Sequence, residues 1–348
     1  MPTVSNLSSA PGDSLGRATT ASPGSSPNGS GELDPVVEVA GLTKRYGARV
    51  VVDGLDMKIP AGVVAGFIGP NGAGKTTTLR MLLGLVRPSA GGGKVFGLPL
   101  HERARYLPRV GALIESPAFY PGLSGARNLE VQTALGGFDR ARVPVVLERV
   151  GLAGRGKDPF RTYSMGMKQR LAIAGALLGD PNLLILDEPT NGLDPAGIRD
   201  MRGLVRSLAE EGPTVLVSSH LLAEVQQMCD WLVVIEQGRQ VFHGPTAQLM
   251  AGGDELRLGT ENLADLPRLQ ALVAARGLVA SVGGGRVHVD LAGTSVLETG
   301  ATLTRLLGEI NRTAMAEHIT LTEISLTGPS LEERYLSMTT HTTTESVR

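Results

Sequence analysis

Residues 63–68 form an uninterrupted apolar run. The chain leaves it through Gly69-Pro70-Asn71-Gly72-Ala73-Gly74-Lys75-Thr76-Thr77, which matches the pattern G-x-x-x-x-G-K-[ST]. No other stretch constrains the fold as much as an apolar strand that breaks into a glycine loop and reopens as a helix. Glycines let successive backbone N–H groups curl around an anion without Cβ clashes, and the helix N-terminus adds its partial positive charge. Lys75 would then reach the β- and γ-phosphates of a nucleotide, and the Thr76 hydroxyl would ligate Mg²⁺. A glycine turn in a chain with 46 glycines can copy this spacing by chance. The strand before it and the helix signal after it argue against that reading.

A second constellation points to the same chemistry. Residues 183–186 are apolar and stop at two adjacent carboxylates, Asp187 and Glu188. In open α/β sheets, ligands sit beyond the carboxyl ends of the strands. One carboxylate can therefore hold the Mg²⁺ shell and the other can accept a proton from attacking water. Taken alone, two acids at a strand end read as a strand meeting solvent. The upstream glycine loop reverses that preference.

The remaining pattern is α/β. Residues 36–40, 50–52 and 57–59 read as short antiparallel strands. Runs at 63–68, 109–114, 183–186 and 214–218 read as strands, with helices over 124–134, 140–150, 164–178 and 195–210. Continuous apolar strands alternating with helices indicate a parallel sheet covered on both faces. Residues 231–235 and 240–243, around Gln237-Gly238, form a hairpin pattern. After Ala251-Gly252-Gly253-Asp254 the order is strand (255–259), helix (263–276), two strands around Gly283-Gly284-Gly285, helix (295–311) and strand (319–326). That βαββαβ order suggests a small ferredoxin-like domain.

Composition removes several alternatives. Lys plus Arg number 33 and Asp plus Glu 34, and the chain has six Phe, five Tyr and one Trp. Neither a basic excess nor an aromatic platform is present, so no nucleic-acid partner is expected. A lone cysteine, Cys229, excludes an internal disulfide or a Cys-based zinc cage and reads as a small buried residue. His288 and His318 have no metal-ligand spacing. No apolar run approaches the length of a membrane span.

Leu186-Asp187-Glu188-Pro189-Thr190-Asn191-Gly192-Leu193-Asp194, joined to the glycine loop, resembles the nucleotide-binding subunit of an ATP-binding cassette (ABC) transporter. The resemblance runs from about residue 36 to 250. It implies a P-loop NTPase of the ABC ATPase type, with an antiparallel β subdomain and a helical subdomain. The expected divisions are a disordered tail (1–34), the ABC ATPase domain (35–250, helical part about 115–180), an accessory α+β domain (254–338) and a terminal tail (339–348). By the same resemblance, Tyr46 stacks on adenine, and Gly69 to Thr77 is the Walker A loop on the phosphates. Asp187 holds magnesium, Glu188 is the general base, and Asp194 lies in the loop that communicates across a dimer. His220, in Ser218-Ser219-His220-Leu221, senses the γ-phosphate; read alone, it would be an ordinary capping or core histidine.

Tyr163-Ser164-Met165-Gly166-Met167-Lys168-Gln169-Arg170 stands where the family usually has Leu-Ser-Gly-Gly-Gln. Ser164 suits an N-cap. The resemblance adds that Ser164 and Gly166 face the γ-phosphate of a nucleotide held by a second subunit, in a head-to-tail dimer. Two departures stand out. Met165 and Met167 replace a Gly and the Gln, and Glu115 replaces a Gln that touches Mg²⁺ and the membrane subunit. Glu115 can still accept from a metal-bound water, though a solvated loop glutamate is the plainer reading.

The function implied is ATP hydrolysis that powers a separately encoded membrane permease, with the chain on the cytoplasmic face of the membrane. Ile114-Glu115-Ser116-Pro117 with Phe119-Tyr120-Pro121, the Tyr163–Met167 stretch (residues 163–167) and Ser330-Leu331-Glu332-Glu333-Arg334 resemble the antibiotic and multidrug export branch. The rival reading is a soluble, non-transport ABC ATPase in translation or DNA maintenance. It fits poorly with one glycine loop, no heptad array and no basic excess. A glycine-loop kinase or GTPase leaves Ser164 and His220 unexplained.

Overall fold

The computed structural model describes residues 35–115, 119–250, 255–291 and 300–327, together with 331, 332, 334, 335 and 338. The expected tails, the break at 251–254, residues 295–299 of the expected helix, and Ser116, Pro117, Ser330 and Glu333 lie outside the described residues.

The described residues begin with a long hairpin, β1 (Pro35–Tyr46) and β2 (Arg49–Pro60). The runs at 50–52 and 57–59 are thus one strand rather than two. The register passes from Leu42↔Leu55 to Lys44↔Val52, so β2 carries an extra residue there, and Gly54 takes a positive φ of 61°. Such a bulge interrupts the apolar alternation without ending the strand. β3 (Val64–Ile68) is followed by α1 (Lys75–Leu82). The sequence pattern missed the next pair, β4 (Ala90–Val95) and β5 (Leu98–Pro99), which extend the hairpin into a four-stranded sheet of order β2-β1-β4-β5. β4 is glycine-rich because it lies so close to β1: a Cβ on Gly91 would stand 2.0 Å from the Gly41 carbonyl oxygen.

After α2 (Arg103–Tyr106) and β6 (Val110–Leu113) come the helices α3 (Gly125–Gly136), α4 (Arg142–Arg149) and α5 (Met165–Ala176). Then follow β7 (Leu183–Asp187), α6 (Pro195–Glu210), β8 (Thr214–Ser219), α7 (Leu222–Met228), β9 (Trp231–Glu236), β10 (Arg239–Pro245) and α8 (Thr246–Met250). The second sheet has six strands in the order β10-β9-β3-β8-β7-β6. Its pairings are parallel except for the β9–β10 hairpin, whose turn at Gln237 and Gly238 has φ of 48° and 83°. Positive φ at both central residues matches the right-handed twist of the flanking strands.

The two faces of this sheet build two cores, following the period of two along each strand. Ala65, Phe67, Leu183, Ile185, Leu216 and Val233 pack with Leu42, Leu55, Met57 and Ile59 of the antiparallel sheet and with Leu79 and Leu82 of α1. Val64, Ile68, Leu184, Leu186, Val215 and Val217 face Leu129, Leu147, Leu171, Met201, Val205 and Val225 on the helices.

The C-terminal elements are β11 (Glu255–Thr260), α9 (Leu266–Ala274), β12 (Val279–Gly283), β13 (Arg286–Asp290), α10 (Gly300–Ala316) and β14 (Leu321–Thr327). Their antiparallel sheet has the order β12-β13-β11-β14, the strand arrangement of a βαββαβ split unit. Leu256, Leu258, Val287, Val289, Leu269, Val273 and Ile310 form its own core.

Candidate nucleotide site

Three neighbouring strands deliver the candidate groups to one edge of the parallel sheet. β3 ends in the glycine loop, β7 ends in Asp187 with Glu188 next, and β8 ends in Ser218 and Ser219 with His220 next. Register brings Asp187 opposite Ser218, and Ile68 opposite Ser219.

The loop demands its glycines at two points. Gly74 has φ 104°, and a Cβ on Gly69 would stand 2.4 Å from the Ile235 carbonyl oxygen. Lys75 is buried, and its Nζ donates to the carbonyl oxygens of Gly69 (2.7 Å) and Pro70 (3.4 Å). The same ammonium lies 3.1 Å from Glu188 Oε1. His220 Nδ1 sits 2.8 Å from Glu188 Oε2, so the two oxygens of that carboxylate are engaged by different partners. Glu188 occupies the left-handed region at φ 50°, which is sparsely populated for a side chain of this size and is typical of functional turns. Tyr46 is half exposed and lines a hollow of about 300 Å³ with Pro70, Asn71, Gly72, Gly74, Lys75, Thr76, Thr77 and Glu188.

The Thr76 hydroxyl donates to Asp187 Oδ2 at 2.8 Å. The other oxygen of Asp187 accepts from the buried Ser218 hydroxyl, whose oxygen in turn accepts from the Glu188 N–H at 3.0 Å. Ser218 is therefore a site residue that sequence reasoning passed over. Its signal was faint: the polar pair Ser218-Ser219 ending an apolar run. Among the described residues no group of three or more His, Cys, Asp or Glu side chains is arranged to hold a metal ion by itself. One carboxylate facing one hydroxyl is instead the sparse, hard-oxygen donor set that Mg²⁺ takes when phosphates complete its shell. Thr76 and Asp187 fit that ion.

Ser164, Gly166 and Asp194 do not join this cluster. They line a separate hollow of about 530 Å³ with Met165, Met167, Gly192 and Leu193, and the two hollows share no residue. Ser164 caps α5 by accepting from the Met167 N–H, and Asp194 caps α6 by accepting from the Gly197 N–H at 2.8 Å. Glu115 is not brought to the Thr76–Asp187 pair either. It lies just past β6 with φ 66°, and its exposed carboxylate pairs with Arg80 on α1. The nearby Arg80 cation, invisible to linear spacing, offers the carboxylate a direct partner.

The profile of the ABC transporter family matches residues 52–191. The chain is 44% identical over 210 residues to the bacitracin transport ATP-binding protein BcrA of Bacillus licheniformis, covering 60% of this chain and 69% of that protein. It is 35% identical over 315 residues to the daunorubicin/doxorubicin resistance ATP-binding protein DrrA of Streptomyces peucetius, covering 88% and 92%. The chain belongs to the ABC transporter family of ATP-binding proteins. A solved ATP-binding subunit of an ABC transporter matches with a TM-score of 0.55 and 30% identity, over 62% of this chain and 91% of the other. The chain thus carries the ABC ATPase fold, and a domain of this family binds ATP. The match to DrrA is long enough to extend beyond the β1–β10 region into the C-terminal elements.

Proposed function

We propose that this chain is the ATP-hydrolysing subunit of an ABC exporter and powers a separate membrane permease that moves an antibiotic, drug or peptide. The observation that carries the reading is the convergence on Glu188. Lys75 lies 3.1 Å from one oxygen, His220 2.8 Å from the other, and the Thr76–Asp187 pair stands beside them. BcrA is named for bacitracin transport and DrrA for daunorubicin and doxorubicin resistance, and the lantibiotic transport ATP-binding protein SrtF of Streptococcus pyogenes is 38% identical over 241 residues. These relatives weigh against the non-transport alternative.

In this reading Tyr46 stacks on adenine and the loop N–H groups with Lys75 hold the phosphates. Thr76 and Asp187 would hold Mg²⁺, which supplies neutralisation of the charge that develops on the transferred phosphoryl group. Glu188 orients the attacking water and accepts its proton, while His220 fixes the carboxylate from its far side. Because Ser164, Gly166 and Asp194 line a hollow of their own, they would serve a nucleotide on a second copy, in a head-to-tail dimer. The surface near Glu115 and Tyr120 would dock a cytoplasmic segment of the permease and hold the chain at the inner face of the membrane. No helix among the described residues is long and apolar enough to cross a membrane itself.

The test is Glu188→Gln in the full chain. Turnover should fall by about 10²–10⁴-fold while ATP still binds. Hydrolysis within a few-fold of the wild type would remove Glu188 as the base. Co-purification of the chain with a permease encoded beside it tests the transport assignment.

A further inference from the structure

The hollow at the start of α5 contains a contact that the family pattern does not provide. Met165, where a Gly usually stands, is 49% exposed, and its Cε lies 3.3 Å from the position a Cβ would take on Gly192. Gly192 itself has φ 76°, which strains any larger residue, and the Met165 methyl group would have to give by a few tenths of an ångström to admit one. One residue on, Leu193 reaches within 3.9 Å of a Cβ placed on Gly166 and packs against the helical core beside Met167. The segment from Glu188 to Asp194 is tightly wound. The Asn191 N–H donates to the Glu188 carbonyl at 3.1 Å, and the Leu193 N–H to the Thr190 carbonyl at 3.2 Å. Thr190 is buried and anchors the middle of the turn. The residues on either side of Gly192 are thus tied back into the turn, Asn191 directly to Glu188, which is held at φ 50°.

We infer that Met165 is a positioning residue for Glu188: its methyl group braces Gly192 and fixes the 188–194 turn that aims the Glu188 carboxylate at Lys75 and His220. The inference rests on the reading of Glu188 as the base. An unbranched thioether side chain suits the task because it fills an irregular gap beside a glycine without fixing a single shape. A half-exposed methionine adds little to the core, so its removal should touch the reaction far more than the fold.

The experiment measures kcat, KM for ATP and Tm for the full chain carrying Met165→Gly, Met165→Leu, Gly192→Ala and the double change. Met165→Gly should lower kcat about fivefold or more, leave KM within about twofold and leave Tm nearly unchanged; Met165→Leu should recover most of the rate. Gly192→Ala should be impaired, and the double variant should lose less than the product of the two single losses, because the Met165 methyl group no longer has to move aside. A Met165→Gly enzyme with wild-type kcat, or single effects that simply multiply, overturns the inference. If Gly192→Ala does not fold, the Gly against Leu comparison at position 165 decides alone. Glu188→Gln, run in parallel, separates the outcomes. An inactive Glu188→Gln beside a normal Met165→Gly defeats only this inference, whereas an active Glu188→Gln defeats the base assignment itself.

Discussion

Ser218 indexes both carboxylates with one buried hydroxyl: it donates to Asp187 and accepts from the Glu188 N–H. Ser218→Ala removes one charge-assisted bond from Asp187 but leaves the Ser218 carbonyl to accept from the Glu188 N–H at 3.2 Å. Asp187 would then be held by Thr76 alone, so kcat should fall about tenfold, equivalent to about 1.4 kcal/mol. Nucleotide affinity should stay close to wild type, because the phosphate loop is untouched. Steady-state kinetics with a nucleotide titration would check this, and an unchanged kcat would mean that Ser218 only fills space. The residue scale is also where sequence reading worked unevenly. Gly69, Lys75, Thr76, Asp187, Glu188 and His220 were legible because each follows a strand within a local motif. Ser218 and the Arg80 partner of Glu115 were not, since their roles arise from strand register and from packing between distant segments.

Elements were legible where the apolar period was clean and obscure where geometry replaced it. β3, β7 and β8 read directly from continuous apolar runs, and Pro195–Glu210 appeared with its Asp194 cap. β4 did not, because the approach of Gly91 to Gly41 demands residues of low strand propensity. Within the helical part, α3 and the segment before α4 are tied by charge. Glu130 meets Arg140 at 2.9 Å and Arg127 at 2.6 Å. The hydrogen bond from Arg140, joined by Arg127, outweighs burial and lowers the Glu130 carboxyl below its usual value of 4.5. A lowered folded-state pKa means that this stabilisation is present above the ordinary glutamate value and is lost as pH falls through it toward the folded value. Arg140→Ala should therefore remove about 0.5–1 kcal/mol at neutral pH and flatten the fall in stability on acidification below about pH 4.5. Denaturant midpoints for both proteins across that range would reveal it; parallel pH profiles would count against the tie.

At the scale of the whole molecule, the chain crosses its own domain plan. The C-terminal sheet has a separate core, yet Leu331, beyond β14, is buried at 1% exposure in the helical core of the ATP-binding region. Its N–H donates to Gln226 Oε1 at 3.2 Å, and Tyr335 and Met338 pack against the same core. Burial, with the Glu236 carboxylate beside it, pushes the Tyr335 phenol upward, as expected for a side chain drawn out of water. Gln226 lies on α7, which begins two residues after His220, so the returning segment grips the element that follows the candidate phosphate sensor. A leucine this deeply buried should contribute far more than its place near the end of the chain suggests. Leu331→Ala should cost about 2–4 kcal/mol through lost burial and the cavity left behind. At about 2–4 °C per kcal/mol for a domain of this size, Tm should drop by several degrees. Leu263→Ala, at a residue 64% exposed, is the control and should shift Tm little. Equal melting temperatures for the two variants would mean that the returning segment contributes no stability. A selective loss at Leu331 would make the ATP-binding region and the C-terminal elements parts of one cooperative structure.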